Sequence, residues 1–195
     1  GWDRMKKSIL STIAVLGVTL GGGAINSYAA EANPTAELTS EASLTIQPGI
    51  LNLDAVSNFN FGELTIQDVA ESDQTLTGTP EITKVSDYRG PNESGWMLSL
   101  KLSDIKNENN VKLQSAKLNL ATTRAKGDAT VTATTTIDAG TTEPTLVASA
   151  NGTTGLAANE FDLSNTTLTF PKQNINSGRY RGTVTWVLTN AYTPE

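Results

Sequence analysis

From Thr183 to Thr189 the chain alternates, with Val184, Trp186 and Leu188 on one side and Thr183, Thr185, Val187 and Thr189 on the other. Successive side chains of a strand point to opposite faces, so the pattern predicts a half-buried strand with a large aromatic on its inner side. A second stretch repeats it, since Trp96, Leu98, Leu100 and Leu102 share one face. Shorter alternations mark Leu44-Thr-Ile46, Ile50-Leu-Asn-Leu53, Phe59-Asn-Phe61, Leu64-Thr-Ile66 and residues 81–85. They continue at 116–120, 130–137 and 145–150, and at Phe161-Asp-Leu163 and Leu168-Thr-Phe170. Pro48-Gly49, Gly127-Asp128 and Asn151-Gly152 punctuate them as turns, the last being a strong hairpin cue. Residues 67–78 and 87–95 read as loops, 103–110 as one helical turn or a long hairpin loop, and 171–177 as a crossover into the last strand.

No window sustains a period near 3.6, which argues against long helices. Many short strands with Gly, Pro and Asn between them predict an all-β fold, an antiparallel β-sandwich with long loops. Tyr180, entering the last strand two residues after Gly178, fits the tyrosine corner of immunoglobulin-like sandwiches. There the hydroxyl bonds the backbone of the preceding crossover. The immunoglobulin-like label stays open, because such sandwiches place another strand after the corner strand.

Composition narrows the picture. Only 17% of the 195 residues are charged, and Thr, Ser and Asn suit strand surfaces and turns. The chain has no Cys, so no disulfide and no lipoprotein anchor is available to it, and no His, the commonest general base near neutral pH. Residues 1–29 read as a leader carrying a secretory signal peptide: Lys6-Lys7, an apolar stretch over 9–24 broken by Gly21-Gly22-Gly23, then small residues. Cleavage after Ala29 or after Ala32 fits, and the apolar run falls short of the roughly 20 residues of a membrane span. A flexible entry segment, 30–43, then leads into a domain over 44–195. Losing residues 1–29 takes basic residues from 14 to 11 and acidic from 20 to 19, a formal charge of −8. Such a domain draws neither nucleic acid nor anionic lipid by bulk attraction, so any hold on an anionic wall needs specific contacts or a local basic patch.

Two of the three tryptophans sit in Trp-x-Leu triplets, Trp96-Met97-Leu98 and Trp186-Val187-Leu188, the second preceded by Tyr180. In this layout the chain resembles the WxL family of Gram-positive surface proteins, over nearly its whole length after the leader. It departs where the family tends to reach a Pro soon after the distal Leu, because Ala191-Tyr192-Thr193 precede Pro194. The resemblance implies non-covalent attachment to Gram-positive peptidoglycan, often alongside partner surface proteins.

The family-motif residues Trp96, Leu98, Tyr180, Trp186 and Leu188 have two readings. As wall contacts, the indoles would stack on sugars; as core, they would pack. Each Trp shares its face with Leu or Val neighbours, which favours the core, where burying a Trp removes ~150–250 Å² from water and is worth about 4–6 kcal/mol as an upper figure. Tyr88 and Arg89 before the first Trp strand, and Arg179 and Arg181 before the second, are candidate wall or partner contacts. If the two strands were parallel neighbours, both loops would meet at one end and their guanidinium forks could grip phosphate or carboxylate. The alternative is ordinary solvated loop charge. Asp68, Glu71 and Asp73 are of the type that holds Ca²⁺, but their spacing fits no EF-hand loop, so no metal and no cofactor is expected. Catalytic signatures are missing: no Gly-x-Ser-x-Gly, no Walker loop, no Gly-x-Gly-x-x-Gly.

The resulting expectation is a secreted, non-enzymatic protein, non-covalently wall-associated at the cell surface, with peptidoglycan or an associated wall polymer as partner. The chain closes on Thr193-Pro194-Glu195 without a covalent sorting signal. A protein–protein module docking by a sheet edge onto another surface protein or a host matrix protein is the alternative. A carbohydrate-active enzyme is a remoter third, which a carboxylate pair in a cleft would support.

Overall fold

The computed structural model describes residues 36, 38–91 and 94–190. The leader, both of its cleavage sites and the tail from Ala191 lie outside the described residues. The chain divides into two units at Leu44/Thr45. In the first, the described residues 36 and 38–44 form no helix or strand, and Leu38 and Leu44 are exposed.

Among the described residues, the second unit carries all the regular structure. Its strands are β1 (Leu51–Ala55), β2 (Gln74–Thr77), β3 (Thr83–Asp87), β4 (Trp96–Leu102), β5 (Lys117–Ala121), β6 (Thr123–Lys126), β7 (Thr130–Val131), β8 (Thr134–Asp138), β9 (Thr145–Ala150), β10 (Ala157–Asp162), β11 (Thr167–Phe170) and β12 (Val184–Thr189). One short helix, α1 (Ile66–Glu71), sits between β1 and β2. Three four-stranded sheets result, in the orders β1-β3-β10-β6, β2-β11-β5-β8 and β12-β4-β9-β7. Every pairing is antiparallel. The protein is an all-β sandwich.

The β12-β4-β9-β7 sheet forms one layer and the other two sheets share the facing one. The inner row of β4 shows the division. Trp96 and Leu98 pack with Val85 of β3 and Phe161 of β10, while Leu100 and Leu102 pack with Leu118 and Leu120 of β5 and Phe170 of β11. The chain passes between the two facing sheets at Thr122, from β5 into β6, and again over 163–166, from β10 into β11. A bulge in β9 adjusts the register, because Leu98 faces Ala148 but Ser99 faces Leu146, leaving Val147 as the extra residue. Both Val147 and Ala148 are thereby buried, one in each cluster.

Several expectations change. Leu44-Thr-Ile46 forms no strand, and Ile46 is exposed; alternation alone does not make a strand without a partner ladder. Phe59 and Phe61 stack at 6.2 Å in a loop against the core instead of forming a strand. Residues 64–78 hold α1 and β2 rather than a strand and a loop. Thr65 caps the helix by accepting from the Asp68 N–H, and Asp68 reaches back to accept from the Thr65 N–H, a capping box. The run 130–137 is two strands in different layers, broken at Thr132–Ala133 where the chain crosses over. Asn151-Gly152 does turn the chain, but β9 and β10 belong to different sheets, so the turn is no hairpin. The Asn151 side-chain oxygen holds it by accepting from the backbone N–H groups of Thr153 and Thr154.

Candidate functional site

The two Trp-x-Leu strands are neighbours, with Trp186 opposite Leu100 and Leu188 opposite Leu98. Their indoles differ in environment. Trp96 is fully buried, meets Phe161 edge-on at 6.3 Å, and donates through Nε1 to the Gly155 carbonyl at 3.1 Å. That carbonyl also accepts from the buried Asn159 amide at 2.8 Å. Gly155 has a φ of +70°, and a Cβ there would stand 2.3 Å from that of Ala150 and 3.0 Å from the Trp96 ring. Glycine is required on both counts. Trp186 is half-buried and touches both core clusters, while its buried Nε1 has no hydrogen-bond partner among the described residues. Leu98 is fully buried and Leu188 half-buried in the cluster around Trp96.

Because β4 and β12 run antiparallel, the loops preceding them lie at opposite ends of the pair. The basic-aromatic cluster expected from a parallel pair therefore divides in two.

At one end Tyr88 is exposed and its backbone is pinned, its N–H donating to Ile50 O and its carbonyl accepting from Gly49 N–H. Arg89 is committed internally. Its Nε and Nη2 donate to the two carboxylate oxygens of buried Asp87 at 2.9 and 2.7 Å, and Nη2 also reaches Gly95 O at 3.0 Å. The bidentate Arg89 bond holds the Asp87 carboxyl below its usual range, against the opposing effect of burial. Arg89 thus closes the 88–95 loop. An open depression of about 470 Å³ beside it is lined by Gly49, Ile50, Leu51, Arg89, Leu188, Thr189 and Asn190.

The other end is built differently. Tyr180 donates its hydroxyl to Asn176 O at 2.9 Å, the bond expected of a tyrosine corner, and its ring packs on the core. Burial raises the pKa of that hydroxyl, which keeps it a donor. Arg179 and Arg181 flank the half-buried Tyr180 in the segment that leads into β12, and both are exposed. Arg181 exchanges both backbone hydrogen bonds with Lys106, at 2.8 and 3.0 Å, and Lys106 in turn lies opposite Lys112. Lys112, Lys106 and Arg181 therefore form a cross-strand row. Asn107, buried, fixes the intervening turn by accepting from the N–H groups of Asn109 and Val111. Asp104 pairs with Lys112 at 2.6 Å and Lys106 at 3.1 Å, and these partners lower its pKa. Arg179 and Arg181 have no ion pair among the described residues. A depression of about 290 Å³ is lined by Lys106, Asn107, Glu108, Arg179 and Arg181.

Sequence reasoning missed Lys106 and Lys112. Their signal was present: they flank residues 107–111 symmetrically, so a hairpin there places them opposite each other. The acids considered for Ca²⁺ serve the fold: Asp68 in the capping box, Glu71 accepting from Gln67, and Asp73 accepting from the Lys172 N–H.

The model of the WxL domain, described as surface cell wall-binding, matches residues 27–191. The chain belongs to this family. The match takes in the whole sandwich together with both WxL triplets and the tyrosine corner. It begins inside the stretch read as leader, two residues before Ala29. No curated protein and no solved structure matches the chain. Among the described residues no helix is long and apolar enough to cross a membrane.

Proposed function

We propose that this WxL protein is secreted, lacks enzymatic activity, and attaches non-covalently to the Gram-positive cell wall, with peptidoglycan as its ligand. The observation that carries this reading is the extent of the family match. Residues 27–191 span every strand of the sandwich, so the wall-binding domain occupies all of the described structure. The leader-like residues 1–29 support export, and the side chains of Arg179 and Arg181 are exposed, where a polymer has access. The test is co-sedimentation of the purified chain from residue 30 onward with Gram-positive walls stripped of protein and of teichoic acids. Saturable pelleting is expected. A domain that stays in solution with stripped walls but pellets with untreated ones takes a removed component, not peptidoglycan, as its ligand.

A further inference from the structure

We infer that Arg179, Arg181 and Lys106 form an oxyanion-binding site, which takes a phosphodiester or carboxylate repeated along a wall polymer. The inference rests on the wall-binding reading for its biological source but not for its chemistry. Like charges directly opposite one another across strands are destabilising. Here the backbone pairs Lys106 with Lys112 on one side and Arg181 on the other, placing three cations in a row within a chain of net charge −6. An acidic protein has no need to concentrate its few cations this way, and a local rule broken on a rigid frame marks a working surface.

The frame is rigid. The Lys106–Arg181 bridge closes on both backbone bonds, Tyr180 anchors the incoming chain to Asn176, and Asn107 locks the neighbouring turn. Gly182 lets this segment lie flat against the core, since a Cβ there would approach Ile105 to 2.9 Å and Leu102 to 3.2 Å. Asp104 offsets part of the charge of Lys106 and Lys112, but the two guanidinium groups remain without acidic partners among the described residues. They flank a depression of about 290 Å³ in which Glu108 is the one acidic lining residue. Guanidinium forks pair bidentately with two oxygens of a phosphate or carboxylate, and two exposed forks two residues apart in the chain suit successive anions of a polymer.

The experiment compares the wild-type chain with Arg179→Gln/Arg181→Gln, and with Lys117→Gln as a surface-charge control on β5. Probes are a soluble poly(glycerol phosphate) and a soluble muramyl-peptide fragment bearing free carboxylates, titrated at low and at moderate salt. Wild type should bind at least one probe, with affinity falling as salt rises. The double variant should bind at least 10-fold more weakly at an unchanged melting temperature, and K117Q should match wild type. Preference for the phosphate polymer assigns the site to phosphodiesters, and preference for the peptide fragment assigns it to stem-peptide carboxylates. Failure of wild type to bind either probe, or a double variant that binds as well as wild type, overturns the site. Wall sedimentation decides the other question separately. A chain that pellets with walls regardless of the two arginines keeps the wall-binding function without this site, and one that binds the probes but never pellets keeps the site and loses that function.

Discussion

The two motif tryptophans are unequal partners. Trp96 is sealed, edge-on to Phe161, and its N–H is satisfied by Gly155. Trp186 bridges the two clusters with a buried N–H that finds no acceptor among the described residues. Substituting phenylalanine therefore separates them. Trp96→Phe should cost about 2–3 kcal/mol, from lost packing and from a donor taken away from a buried carbonyl. Trp186→Phe should cost about 1 kcal/mol or less, since it removes an unmet polar group along with some packing. Chemical denaturation of both variants checks this; equal losses would contradict the difference in environment. Asp87 gives a second residue-level expectation. Its folded pKa is depressed, so it contributes stability that is fully present above the ordinary carboxylate range and is lost as pH falls through and below about 4. Asp87→Asn should lower stability by about 2 kcal/mol at neutral pH and flatten the acid limb of the stability curve, as read from melting midpoints between neutral pH and the acid range. An acid limb unchanged from wild type would show that the Asp87–Arg89 pair carries no such linkage.

At the scale of elements, the strands legible in the sequence are those whose two faces differ along their full length. β4 and β12 are such strands, with Trp, Leu and Val alternating against polar or smaller residues over six or seven positions. Elements were misread where local chemistry does not report the destination of the chain. Asn151-Gly152 announces a turn truthfully, yet nothing in those residues says that the next strand joins another sheet. Thr130 to Ile137 alternates without interruption, and the break falls at Thr132–Ala133 because the chain must change layers there. Thr65 hid a helix start inside a Leu-Thr-Ile alternation, and only Asp68 three residues on betrays the cap. The basic site was half legible. Arg179 and Arg181 stood out beside Tyr180, but their true neighbours, Lys106 and Lys112, come from a hairpin some 70 residues away in sequence. The tyrosine corner was legible because its chemistry is local. Tyr180→Phe should lose the bond to Asn176 and cost about 1 kcal/mol, and it should also weaken oxyanion binding by loosening the Arg pair. A variant with unchanged melting and unchanged probe binding would show that the corner positions nothing.

For the whole molecule, the decisive feature is one layer serving two cores. β4 and β9 contribute to both clusters, and Trp186 of β12 touches both. Neither core can open without exposing the back of the other, so the sandwich should unfold in a single transition. Phe161→Ala damages the cluster around Trp96 and Leu118→Ala the cluster around Leu100. Each should lower the midpoint by an amount corresponding to about 3–4 kcal/mol while near-UV and far-UV signals remain coincident. Separate transitions in either variant would show that the shared layer does not couple the two halves.

The carbonyl of Gly155 has one more consequence. Residues 151–156 have the composition of a loose tip: Asn-Gly-Thr-Thr-Gly-Leu. Yet the segment is fastened from inside by two donors that never meet solvent, the indole of Trp96 and the amide of Asn159. Those hydrogens should exchange with heavy water only when the sandwich itself comes apart. A stretch that reads as the most pliable in the chain thus keeps time with its most durable part.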